Sequence, residues 1–234
     1  MMNSIRKTAC ALTVLAVSTT SVWATESVEL KVVGKIAPSA CIPAIAAGGA
    51  VDYGVISAGN LSATEYNDLD VKKIDFSITC SAPAKFGIKA VSGRLGSVVS
   101  DQLESPEGFA VAPIGLFGGV PGVPAAGLGM TDDGAKIGGY AARLSPFTSQ
   151  GDSAEVDTII SMDVGKTWVT TANPIFTASQ QILSWAQTGT TVPVAMTNLA
   201  AELEVNAYLN KASELDLTKV VNLDGLATIE VVYL

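Results

Sequence analysis

The sequence predicts an all-β protein. Three observations carry that prediction: apolar and polar residues alternate with a period of two along much of the chain, no long amphipathic helical pattern interrupts them, and one cysteine pair lies downstream of an export signal.

The first residues belong to sorting. Arg6 and Lys7 supply a positive start, Thr8 to Val17 an apolar middle, and Val22-Trp23-Ala24 a small residue at the cleavage point, so residues 1–24 are read as a signal peptide. The apolar stretch is about ten residues, short of the about 20 a spanning helix needs, and no later segment reaches that length, so no membrane span is expected. Cys10 lies within the apolar stretch, far upstream of the cleavage point, and is not read as a lipid anchor. Residues 25–234 are expected to form one domain with a sizeable core, in the periplasm or at the cell surface. They carry twelve basic and twenty-two acidic residues, a net charge of −10. That balance, with no basic run, argues against a nucleic-acid partner. Cys41 and Cys80 remain after processing and are expected to pair in an oxidising compartment. Closing a loop of about 40 residues corresponds to about 4 kcal/mol of unfolded-state entropy.

The first strand is read over Val28–Ile36, where Val28, Leu30, Val32, Gly34 and Ile36 share a face, and Ala37-Pro38-Ser39-Ala40-Cys41 ends it. A second strand is expected over Ala50–Ile56, with a turn at Ala58-Gly59-Asn60. Val71 to Cys80 places Ile74, Phe76, Ile78 and Cys80 on one face, and Phe86, Ile88 and Ala90 continue the pattern after a turn or strand switch marked by Pro83. From about residue 92 to 150 glycine and proline punctuate short apolar pieces. This long Gly/Pro-rich insertion is either loop-rich with short strands or a surface of recognition loops. Alternation resumes at Tyr140–Leu144 and Val156–Met162, and Phe176–Trp185 suits one or two helical turns or a strand, of which the strand is preferred because Ile182, Leu183 and Trp185 fit it. Leu203, Val205, Ala207 and Leu209 then alternate with polar neighbours, and Ala227, Ile229, Val231 and Tyr233 form the last apolar face. An apolar strand of that quality needs neighbours or protection, because an open edge invites aggregation.

The composition argues against an enzyme. The chain has no histidine, which removes Ser-His-Asp and Cys-His catalysis and every His-containing metal site, and two distant cysteines do not make a zinc site. Neither a nucleotide fingerprint nor a phosphate loop is present. Asp132-Asp133-Gly134 and Asp224-Gly225 are turn sequences. No catalytic residue, metal or cofactor is expected. One local motif is specific: Ser161, Asp163, Gly165, Thr167 and Trp168 match the S-x-D-x-G-x-T-W pattern of the Asp-box, a hairpin module known from sialidase propellers. It is read as structural, with Asp163 accepting turn N–H groups, Gly165 supplying a permissive backbone and Trp168 packing on the hairpin. Trp185 is read as core.

Four features in order resemble the subunits of chaperone–usher fimbriae. These are an N-terminal strand ending at Cys41, the segment Val51-Asp52-Tyr53-Gly54-Val55-Ile56, the strand end Phe76-x-Ile78-x-Cys80, and the terminal Ala227–Leu234. The likeness covers the first 65 residues after the signal and the last 35. The ending Gly225–Glu230 and the Trp-containing middle are similar to an uncharacterised family of fimbrial-like periplasmic proteins. The resemblance implies an immunoglobulin-like, pilin-like β-sandwich that lacks its final strand. A chaperone, and then a neighbouring fimbrial subunit, would add that strand by β-augmentation. It places the strand-acceptor groove between Val28, Leu30, Val32 and Ile36 on one side and Ile229, Val231 and Tyr233 on the other. Ordinary subunits carry a free donor segment ahead of the first strand. Only Thr25-Glu26-Ser27 precede Val28 after the signal, so this chain is not expected to donate. The function expected is that of a structural, adhesion or assembly subunit accepting a donor strand. The alternative is a self-complete periplasmic protein that binds a glycan, protein or other ligand.

Overall fold

The structure is a computed structural model and describes residues 28–35, 40–119, 122–145, 149–152, 154–171 and 174–234. The signal-peptide reading of residues 1–24 and the position of Ile36 lie outside the described residues. The chain divides into two compact units, residues 1–37 and 38–234. Within the first unit, residues 28–35 carry no strand, and Val28, Leu30 and Val32 are exposed at 95%, 90% and 91%. This corrects the expected first strand. A period-two pattern shows which face of a segment can be buried, but not that a partner edge is available to it.

Among its described residues the second unit has thirteen strands: β1 (Cys41–Ile45), β2 (Asn67–Asp68), β3 (Lys72–Ala84), β4 (Phe86–Ser92), β5 (Phe109–Val111), β6 (Pro124–Gly127), β7 (Gly138–Leu144), β8 (Gln150–Gly151), β9 (Ala154–Ser161), β10 (Val169–Thr170), β11 (Ile182–Gln187), β12 (Met196–Leu209) and β13 (Ala227–Tyr233). No α-helix occurs among the described residues. The strands pair antiparallel in one open sheet with two wings. One runs β13–β4–β11–β9, with β10 on β9. The other runs β5–β6–β7–β12–β3–β1, with β2 alongside β12. The two-residue β8 pairs with both β12 and β9 and joins the wings.

The 14-residue β12 is the spine, because Leu203 pairs with Ile74 of β3 on one side and with Leu144 of β7 on the other. The alternation of β3 puts Phe76, Ile78 and Cys80 inside, as its sequence implies. The chain then changes wings at Lys85, since β3 pairs with β1 and β12 while β4 pairs with β11 and β13. Side chains of both wings share one core. It holds Phe76, Ile78, Phe86, Ile88, Leu183, Trp185, Leu199 and Leu203, with Phe86 tilted on Trp185 at 5.7 Å.

The Gly/Pro-rich stretch supplies β5, β6 and β7 to the sheet and covers the other face of β12. Val98, Val99, Ala110, Ala112, Leu116, Ala125 and Ala141 bury Tyr208 in a second cluster, and the Tyr208 hydroxyl donates to the Val99 carbonyl. Consequently Glu204, Asn206 and Tyr208, the face of β12 that alternation marks as polar, are buried too. Each is satisfied. Glu204 accepts from Arg143 Nε at 2.7 Å and Ser145 Oγ at 3.0 Å, and Asn206 donates to Asp68 and Leu69 while accepting from the Phe117 amide. The pair Gly138-Gly139 is required by this approach, because a Cβ at Gly138 would run into the Tyr208 carbonyl.

The segment expected as a second strand, 50–56, is not one. Gly54 has φ +66° and donates its amide to the Asp52 carboxylate at 2.7 Å, a local turn that no ladder can continue through. Tyr53 takes over the ladder's task. Its hydroxyl donates to the Val205 carbonyl at 3.1 Å and accepts from the Ala207 amide at 3.2 Å, in the interval on β12 between the residues paired with β3 and those paired with β2.

Candidate functional site

One edge of each wing, β1 of the one and β13 of the other, lies beside its counterpart. The side of each that faces away from its sheet follows from the bonds each makes. The Ser81 amide donates to the Ala40 carbonyl, so residues 40, 42 and 44 face β3 and residues 41, 43 and 45 turn their backbone groups outward. Pro43 brings no N–H to that outward row, consistent with a proline on an edge strand. On β13, the Gly93 amide donates to the Leu226 carbonyl and the Leu234 amide to the Lys85 carbonyl. This leaves the backbone groups of Ala227, Ile229, Val231 and Tyr233 directed outward. The side chains of Ala227, Ile229 and Val231 pack against the main core. The two rows belong to one seam.

At one end the seam is closed. The Cys41 amide donates to the Tyr233 hydroxyl at 2.7 Å, and Cys41 is bonded to Cys80 of β3. Away from that end the seam widens into a groove of about 620 Å³. Ile45 and Ile229 line it from the two edges, Ile74, Leu203 and Val205 from β3 and β12, and Tyr140, Ile175 and Phe176 from the interior. Tyr53, Val55, Leu61, Leu217, Val221 and Leu223 extend it along the coil segments that follow β1 and precede β13. The lining is largely aliphatic and aromatic. Burial pushes the Tyr53 phenol up to about 12, and it raises Tyr140 more strongly against the small opposing effect of Arg94. Both phenols are therefore neutral at any physiological pH.

The residues expected at the groove divide. Ile229 lines it, Val231 packs on the core above it, and Tyr233, half exposed, holds its closed end. The edge beside β13 is β1; Val28, Leu30 and Val32 belong to the first compact unit and carry no strand, and Ile36 lies outside the described residues. Sequence reasoning missed Ile45, Tyr53, Tyr140, Ile175 and Phe176. The one available signal was Tyr53, a lone aromatic between Asp52 and Gly54.

The Asp-box forms the connection from β9 to β10. Asp163 accepts from the Thr167 amide, the Ser161 hydroxyl and the Thr167 hydroxyl, each at 2.8 Å, and these bonds hold its carboxyl down at about 2. The Ser161 hydroxyl accepts the Gly165 amide at 2.7 Å, Val164 and Gly165 both have positive φ, and Trp168 is partly buried beside Gly165. All these groups are engaged with one another. Among the described residues no group of three His, Cys, Asp or Glu side chains could hold a metal, and no helix is long and apolar enough to cross a membrane.

Residues 30–141 match the model of a family described as "Protein of unknown function (DUF1120)". The chain is 30% identical to "Protein GltF" of Escherichia coli (strain K12) over 250 aligned positions, covering 97% of each chain. It is 27% identical to "Uncharacterized protein YhcF" of the same organism over 233 positions, covering 92% of this chain and 93% of the relative. No solved structure matches the chain.

Proposed function

The chain belongs to the family of Protein GltF, and from that footing we propose that it is an exported assembly subunit with an immunoglobulin-like, pilin-like sandwich whose open seam accepts a β-strand from another polypeptide. The observation that carries this reading is the coincidence of two outward rows of backbone groups with an apolar groove between them. A small apolar ligand would fill the groove and leave both rows unbonded. An extended chain whose apolar side chains alternate would fill the groove and pair with the rows at once.

The donors are a periplasmic chaperone strand and then a neighbouring subunit. Residues 28–35 supply such a strand from a second copy. Val28, Leu30 and Val32 are exposed and alternate with Glu29, Lys31 and the exception Val33, and residues 28–35 carry no strand. The expectation that this chain has nothing to donate rested on the segment being consumed as a first strand. β13 provides the better edge, because Pro43 interrupts the donors of β1. Antiparallel pairing is the more stable kind, so the strand enters antiparallel to β13.

The test is titration of the exported chain with a synthetic peptide of residues 28–36. Binding should raise the melting temperature and slow hydrogen exchange at the amides of Ile229 and Val231. At one hundred times the dissociation constant the gain is about 2.7 kcal/mol. A cooperative monomer that ignores the peptide and any chaperone strand would instead favour a self-complete periplasmic binding protein, with the groove holding a different ligand.

A further inference from the structure

We propose that Tyr233 is the end stop of the seam and fixes how many residues of an incoming strand can pair; this rests on the strand-accepting reading above. Across the closed end of the seam the Cys41 amide donates to the Tyr233 hydroxyl. That amide is the first donor in the outward row of β1, and the next residue of the row, Pro43, has none. The phenol therefore occupies the place that a carbonyl of an inserted strand would take.

The stop is stiff on both sides. Cys41 is bonded to Cys80, so β1 cannot swing outward at this point without moving β3, the strand that holds Phe76 and Ile78 in the core. Tyr233 is paired through the ladder with Phe86 of β4, a fully buried residue. A strand pairing along the outer side of β13 comes to the outward backbone groups of Ala227, Ile229 and Val231 before it reaches Tyr233. On reaching Tyr233 it must displace the phenol from Cys41 before it can use the last position.

With the stop in place, an inserted strand bonds three alternate residues of β13, a span of about five to six residues. Without the hydroxyl, the Cys41 amide and the backbone of Tyr233 become available and about two more residues can pair. The phenol thus selects register: it favours donors whose apolar face ends where the groove ends, and rejects slippage by two.

The experiment compares peptides 28–32, 28–34 and 28–36 on the exported full chain, wild type and Tyr233→Phe, by titration with hydrogen exchange read at the Cys41 amide. On the wild type, affinity should stop rising before the longest peptide, and the Cys41 amide should be slow to exchange with or without peptide. On Tyr233→Phe the longest peptide should gain about tenfold over its wild-type affinity, and the Cys41 amide should exchange quickly until that peptide is bound. Equal length dependence in the two proteins, with peptides binding both, overturns the end stop and leaves the strand-accepting reading standing. Failure of all three peptides on both proteins overturns that reading and the end stop with it.

Discussion

The Tyr53 hydroxyl accepts the Ala207 amide proton at 3.2 Å while donating to the Val205 carbonyl at 3.1 Å, so one side chain bridges the interval between β3 and β2 on the edge of the central strand opposite β7. Removing the oxygen leaves both backbone groups facing an apolar groove. Tyr53→Phe is therefore expected to lower stability by about 1–3 kcal/mol, the range for unsatisfied buried groups. Denaturant titration of the two proteins measures it, and an unchanged midpoint would show that water replaces the phenol.

Replacing both Cys41 and Cys80 by serine should cost about 4 kcal/mol from loop closure alone. Because Cys41 also anchors the closed end of the seam, the variant should expose β1 to proteolysis before the rest of the sheet. Mass spectrometry of the unreduced wild type should read two hydrogens below the dithiol. Two free thiols there would remove the basis for both effects.

Asp163 is an acid whose carboxyl is held low in the folded chain, at about 2 against an ordinary 3.8. Its contribution to stability is fully present above about pH 4 and is lost as pH falls through about 2, since the unfolded chain takes up the proton first. Asp163→Asn should melt earlier than wild type at pH 7, and the gap should narrow steadily between pH 4 and pH 2. A gap independent of pH would assign the effect to the shape of the turn and not to its charge.

Ile229 lines the groove from β13 while its outward backbone lies at the middle of the open row. Ile229→Lys places an ammonium on the apolar face that an inserted strand would cover. Peptide affinity should fall at least tenfold; stability should fall too, since Ile229 packs on the core, while the seven-residue β13–β4 ladder holds the strand in place. Circular dichroism and peptide titration of the same sample separate the two, and full affinity in a folded variant would place the strand elsewhere.

Truncation before Ala227 removes the strand that covers Phe86, Ile88 and Ala90 on the edge of β4. The shortened chain should accumulate as aggregate, because β4 would become an open apolar edge. A soluble truncated chain with native near-ultraviolet dichroism would show that β13 is not needed for the fold.

Several features were determined by the sequence alone, each by a local cause. Period-two patterning sufficed for β3, β4, β7, β9, β12 and β13, because an alternating run with one apolar face has few other ways to bury it. The Asp-box is equally local, its bonds running between residues at most four apart in sequence. The pairing of Cys41 with Cys80 was expected from two cysteines downstream of a segment that reads as an export signal. Other features belong to tertiary structure. Residues 28–35 alternate as well as β3 does, yet carry no strand, since pattern specifies a face and not a partner. Val51–Ile56 reads as a strand, but the Asp52–Gly54 turn ends it, and Tyr53 acts through a residue 154 positions away. Glu204, Asn206 and Tyr208 read as solvent-facing, yet they are buried: Val98, Ala110, Leu116 and their neighbours pack on Tyr208, the Phe117 amide donates to Asn206, and Arg143 and Ser145 close on Glu204. The groove lies where β1 and β13, edges of the two wings, join through Cys41 and Tyr233 at one end and part towards Ile45 and Ile229 at the other. A gap between two edges is a property of their spacing, and no stretch of sequence carries it.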